Sequence, residues 1–128
     1  MGTRAPLEIL AHIGDLFERG LTTAQGETAW PGHSPGEWDH EVVRFFAALQ
    51  RLDERLGSEA PLGVEAEKMF QGPIADALTH VGQLGMLRRM AGGAVRGENN
   101  LIARKENMMK MTNIPDAMAQ LERQFKQR

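Results

Sequence analysis

Apolar residues recur along this chain at helical spacing, in segments bounded by glycine and proline. In LEILAHIGDLFERGLTTAQ, the residues Leu7, Ile9, Leu10, Ile13, Leu16, Phe17 and Leu21 fall within one half of a helical wheel, which predicts an amphipathic helix. Pro6 opens it at a position where a missing N–H is harmless, and Gly26 and Pro31 end it. The connection GETAWPGHSPG is rich in turn formers, with Trp30 as an apolar anchor against the helices it joins.

A second helix is predicted from Ser34-Pro35-Gly36-Glu37, where serine can cap and Glu37 can complete a capping box. Its stripe is Trp38, Val42, Phe45, Leu49, Leu52 and Leu56, and Gly57 is the stop. The stretch GSEAPLGVEAEKMFQGP reads as a connection with at most one short helical turn, over residues 64–70. Pro73 starts a third helix, with Ile74, Ala77, Leu78, Val81, Leu84 and Leu87 facing the core and Gly92-Gly93 terminating it. After Gly97, ENNLIARKENMMKM is helix-compatible but poorly periodic. The last segment has a stripe of Ile114, Met118, Leu121 and Phe125, with Asp116 near its start and Lys126 and Arg128 at its end, as the helix dipole favours. Period-two alternation of β-branched residues is absent, so the fold class is all-α.

Composition narrows the chemistry. A chain of 128 residues, 41% hydrophobic and 25% charged, suits one globular domain over 1–128. It has no cysteine, which removes disulfides, zinc–thiolate sites, iron–sulfur clusters and a catalytic thiolate of its own. No apolar run suits a membrane span and no signal peptide is evident, so a cytoplasmic location without membrane association is expected. Residues 1–70 carry 12 acidic and 6 basic side chains, and residues 71–128 carry 5 and 9. That asymmetry, −6 against +4, is too mild to indicate nucleic acid, and the basic half has a single aromatic residue, Phe125.

Candidate chemistry centres on the third helix. Asp76 and His80 are four apart and leave the same face one turn from each other, as paired ligands of a helical metal site must. His12, at the edge of the first helix's apolar arc beside Ile9 and Leu16, is the best-placed third ligand. His33, in a loop, and His40, opposite Trp38, are expected to be solvated. Two imidazoles and a carboxylate with an open position would suit zinc, nickel or ferrous iron and could acidify a water or a thiol. The plainer alternative is an ordinary Asp76–His80 hydrogen bond with His12 as a boundary histidine. Gln83, near His80, can orient a ligand or make a simple partly buried contact. Arg88-Arg89 suit an anionic substrate or a solvated helix end, and Met108, Met109 and Met111 suit adaptable packing or a subunit contact.

The segment from Gly72 to Arg89 (GPIADALTHVGQLGMLRR), followed by Met90-Ala91-Gly92 and Arg96-Gly97-Glu98-Asn99, resembles bacterial proteins of the DinB/YfiT-like superfamily. Residues 9–17 (ILAHIGDLF) are similar to the helix bearing that group's first ligand, so the resemblance spans about residues 6 to 100. It implies an up-and-down four-helix bundle, often dimeric, with a divalent metal on three side chains. Position by position these are His12, Asp76 and His80, with Asp76 standing where histidine is usual. Some members are metal-dependent transferases that use low-molecular-weight thiols.

Two departures accompany the likeness. Only five residues precede Pro6, so the usual N-terminal helix is expected to be shortened or missing. Residues 101–128 form a divergent helical segment that can replace it, unless a second subunit closes the groove. The expectation is a metal-dependent hydrolase or thiol transferase, homodimeric, with a small-molecule substrate and a thiol cosubstrate. The competing class is a noncatalytic interaction or dimerisation module.

Overall fold

A computed structural model describes residues 4–28 and 32–94. All regular structure in them is helical: α1 (Pro6–Ala24), α2 (Trp38–Leu56), a single turn α3 (Ala66–Met69) and α4 (Ala75–Met90). Among the described residues no helix is long and apolar enough to cross a membrane. The expectations for Trp30, Pro31, the methionine cluster and the 101–128 segment lie outside the described residues.

α1 begins where Pro6 predicts, and Glu8 accepts the Ala5 N–H (2.7 Å). It ends when Gly26 turns to a positive φ of 82°. This helix is the central one, because it packs closely on both α2 and α4 while no Cα atoms of those two come within 8 Å of each other. Burial therefore reaches well around its circumference: Ile13, Gly14, Asp15, Leu16 and Phe17 are consecutive and all buried. The core is Ile9, Ile13, Leu16 and Phe17 of α1 with Ala48 and Leu52 of α2 and Ala77 of α4, flanked by Phe45, Leu49, Leu84 and Leu87. The Phe17 and Phe45 rings meet at 5.3 Å between centroids, a separation at which tilted aromatic pairs attract.

α2 starts later than the capping box predicts, with Glu37 at the cap position and no side-chain cap. The buried Glu41 accounts for the shift, since its carboxylate accepts the Gly36 N–H (2.9 Å) and ties down the segment before the helix. Its inward face is also rotated slightly from the expected stripe. Glu41, Ala48 and Leu52 are the buried positions, whereas Val42 and Leu49 are half-buried and Leu56 is exposed. The small Ala48 lets α2 seat against α1, and Glu41 can be buried because it is fully paired.

Beyond Gly57, Arg55 ties the following loop to the end of α1 by donating to the carbonyls of Ala24 (2.8 Å), Ala60 (3.1 Å) and Pro61 (2.8 Å). Gly63 N–H also donates to Ala24 (2.9 Å), and Gly63 lies so close to the Gly26 backbone that a Cβ there would overlap it. Pro73 sits not at the first position of α4 but in a wide turn, Phe70–Ile74, where Gly72 leaves helical geometry at ψ −106°.

On α4 the expected inward face is only partly realised. Ala77 is buried and Leu84 and Leu87 pack on the core, but Leu78 is 61% exposed and Val81 44%. The helix is oriented by Ala77, whose small side chain allows a close seat on α1, and apolar residues on its other faces are left outward. It ends at Gly92 (φ 83°), with the Gly93 N–H bonded to the Arg88 carbonyl (2.9 Å) and Arg88 Nε donating back to the Gly93 carbonyl (2.7 Å).

Candidate metal centre

Three elements of local sequence place the candidate ligands. Asp76 stands in the first turn of α4, where the helix dipole favours a carboxylate. His80 follows one turn later on the same face. Between them Ala77 is 2% exposed against α1, and that close seat brings both side chains to His12. His12 in turn is flanked on α1 by Ala11 and Ile13, both buried, which fix the helix's rotation.

The three side chains predicted from the sequence do come together. His12, Asp76 and His80 each offer a donor atom, and these atoms lie within 4.8 Å of one another. His80 Nε2 is 3.2 Å from Asp76 Oδ1 and His12 Nε2 is 4.0 Å from Asp76 Oδ2. The two imidazoles meet edge to face, with centroids 4.7 Å apart and planes at 84°. Donors about 2.1 Å from a tetrahedral ion stand about 3.4 Å apart. The His80–Asp76 pair already has nearly that spacing, while His12 would have to close by up to about 1.4 Å, within reach of a side-chain torsion.

Gln83 orients the centre. His80 Nδ1 donates to Gln83 Oε1 (2.7 Å), so that Nε2 is the ring nitrogen near Asp76 Oδ1. The Asp76–His80 contact is close but is not aligned as a hydrogen bond. It brings together an imidazole nitrogen and a carboxylate oxygen, two atoms able to ligate a divalent ion. His12 is tuned in the same sense. Its pKa lies below the ordinary 6.5, chiefly through burial, aided by the charges of Arg4 and His80 and opposed by Asp76 and Asp15. The neutral, metal-competent imidazole is therefore favoured.

His40 is exposed, as expected. His33 is exposed as well, and its Nε2 pairs with Glu41 Oε1 at 2.7 Å. That contact belongs to a second polar cluster which spacing did not reveal. Arg44 is its centre, donating from Nη2 to the Ala11 carbonyl (2.7 Å) and Asp15 (2.8 Å), from Nη1 to Glu18 (3.1 Å) and from Nε to Glu41 (3.0 Å). Gly14 lies beneath it, and a Cβ there would come within 3.1 Å of the guanidinium. Burial pushes the Glu41 carboxyl up, but hydrogen bonds from Gly36, His33 and Arg44 more than offset this and hold it at about 2. Among the described residues no buried polar side-chain atom lacks a partner, and the cluster clamps α2 to α1.

In comparisons with protein-family models, curated proteins and solved structures, nothing matches this chain.

Proposed function

We propose that this chain is a DinB/YfiT-like, divalent-metal-binding helical-bundle protein, with His12, Asp76 and His80 as the ligands, and that it acts as a metal-dependent hydrolase or thiol transferase. The reading rests on the convergence of three nitrogen and oxygen donors, from two helices, within 4.8 Å. The donor set suits zinc, nickel or ferrous iron, and three protein ligands leave room for an exogenous one. A divalent ion held there supplies Lewis acidity, which acidifies a water or a thiol.

The chain's own residues prepare that chemistry. Gln83 holds the His80 ring in the tautomer that leaves Nε2 free to ligate. Asp76 balances part of the cation's charge. Burial keeps His12 neutral, so less protonation opposes its ligation as pH falls. No cysteine is present to compete as a ligand, so a reacting thiol must come from a cosubstrate.

The test is elemental analysis of the purified full chain, together with zinc, nickel and ferrous titrations followed by melting temperature. About one metal per chain is expected, lost in His12→Ala and in His80→Ala. Metal at 100 times its dissociation constant should add about 2.7 kcal/mol of stability. Metal-free protein whose melting temperature ignores all three ions would overturn the reading.

A further inference from the structure

Beside Asp76 a cleft of about 590 Å³ opens between α1, the Phe70–Ile74 turn and the start of α4, a volume ordinary for small-molecule sites. Its composition is selective. Leu16 and Pro73 supply apolar surface and Gln71 a hydrogen-bonding amide, while the charged groups are two cations, Arg19 and Lys68, and one acid, Asp76. Because Asp76 is committed to the metal in the reading above, the remaining wall charge is positive.

Neither cation is firmly engaged. Arg19 forms no ion pair among the described residues, since the adjacent acid, Glu18, is turned to Arg44 (3.1 Å) and Arg51 (3.3 Å). Among the described residues Lys68 is paired only with Glu65, at 3.3 Å, and both side chains are largely exposed. An exposed pair of that kind is weak and yields to a better-placed anion.

The geometry of α1 links the cleft to the ligands. His12, Leu16 and Arg19 are spaced four and three residues apart and so lie along one face of the helix, with Arg19 about 10 Å from His12 along the axis. Asp76 lies both at the cleft wall and among the three donors. One molecule can therefore reach from the cationic end to the metal position.

We propose that the cleft is the substrate-binding arm of the metal centre and takes a small organic anion, with its terminal anionic group held by Arg19 and Lys68 and its other end directed at His12, Asp76 and His80. The proposal rests on the metal-centre reading and adds the class of substrate to it.

The experiment uses zinc-loaded full-length protein and two probe series: ω-carboxyalkyl hydroxamates of increasing chain length, and their uncharged terminal carboxamide counterparts. Both series carry the same metal-chelating head. At low salt the best carboxylate should bind about tenfold more tightly than its carboxamide, and the preference should shrink as salt screens it. In the Arg19→Gln/Lys68→Gln double variant the preference should vanish, with zinc content and carboxamide affinity unchanged. Loaded wild-type protein that binds both series equally, or neither, overturns the proposal while leaving the metal centre standing. A charge preference that survives in the double variant also overturns it. Failure to take up zinc at all removes both.

Discussion

Glu41 makes the packing of α2 on α1 depend on pH in a way that can be measured. Its side chain is 2% exposed and accepts hydrogen bonds from Gly36, His33 and Arg44. Lowering a carboxyl pKa from an ordinary 4.5 to about 2 corresponds to about 3 kcal/mol of stability at neutral pH. The folded pKa lies below the unfolded one, so this contribution is complete above about pH 5 and is lost as pH falls toward 2, by at most about 1.4 kcal/mol per pH unit. In Glu41→Gln the side chain keeps its shape but cannot titrate, and its NH2 replaces an acceptor with a donor facing Gly36 or Arg44. Urea denaturation followed by circular dichroism from pH 7 to pH 2 should show the variant about 3 kcal/mol less stable at pH 7 and nearly equal to wild type at pH 2. Titrating groups remote from the Glu41 cluster are common to both chains and cancel in the difference. A gap that stays constant across the range, or no gap at pH 7, would refute the assignment of the clamp to the ionised Glu41.

Two further outcomes follow from particular contacts. Gln83→Leu removes the acceptor of His80 Nδ1 at an exposed position, so zinc affinity measured by chelator competition should fall 10- to 100-fold, on the order usual for such partners, with the melting temperature of the metal-free protein little changed; equal affinities would show that Gln83 does not orient the ring. Gly63→Ala should destabilise by about 1–3 kcal/mol because its Cβ overlaps the Gly26 backbone, whereas Gly82→Ala, where a Cβ meets open space inside α4, should stabilise by about 0.5–1 kcal/mol. Thermal melts of the two variants that shift in the same direction would contradict the packing described.

What the sequence reveals here, and what it conceals, follows from how local each signal is. Pro6, Gly26, Gly57 and Gly92 mark helix ends correctly because backbone conformation and missing donors act within a few residues. The pairing of Asp76 with His80 is equally local, one turn along one helix. His12 could be added from its place at the edge of an apolar arc. The inward face of α4 is harder to read: Ile74, Ala77, Leu78, Val81, Leu84 and Leu87 share one broad half of the helix, and only the docking of Ala77 against α1 selects the side with Leu84 and Leu87 and leaves Leu78 and Val81 exposed. The Arg44 cluster was invisible for a related reason. Asp15, Glu18, Glu41 and Arg44 are ordinary surface residue types, and only the docking of α2 on α1 turns them into a buried network. His33 is exposed, as expected, while its pairing with the buried Glu41 depends on the same docking and is not legible in the spacing.

The distance along the chain between the candidate ligands has a consequence for folding as well as for chemistry. His12 and Asp76 are more than sixty residues apart in sequence, yet their side chains approach to 4.0 Å. An ion bridging them would close a loop of that size, much as a disulfide does, in a chain that contains no cysteine. Closing such a loop in the unfolded ensemble removes chain entropy equivalent to about 4 kcal/mol in the usual cross-link treatment. The same three side chains would thus serve as a reversible staple between the second turn of α1 and the first turns of α4. Chelation would then loosen the attachment of α4 itself, and the protein's mechanical integrity would follow the metal supply of its surroundings.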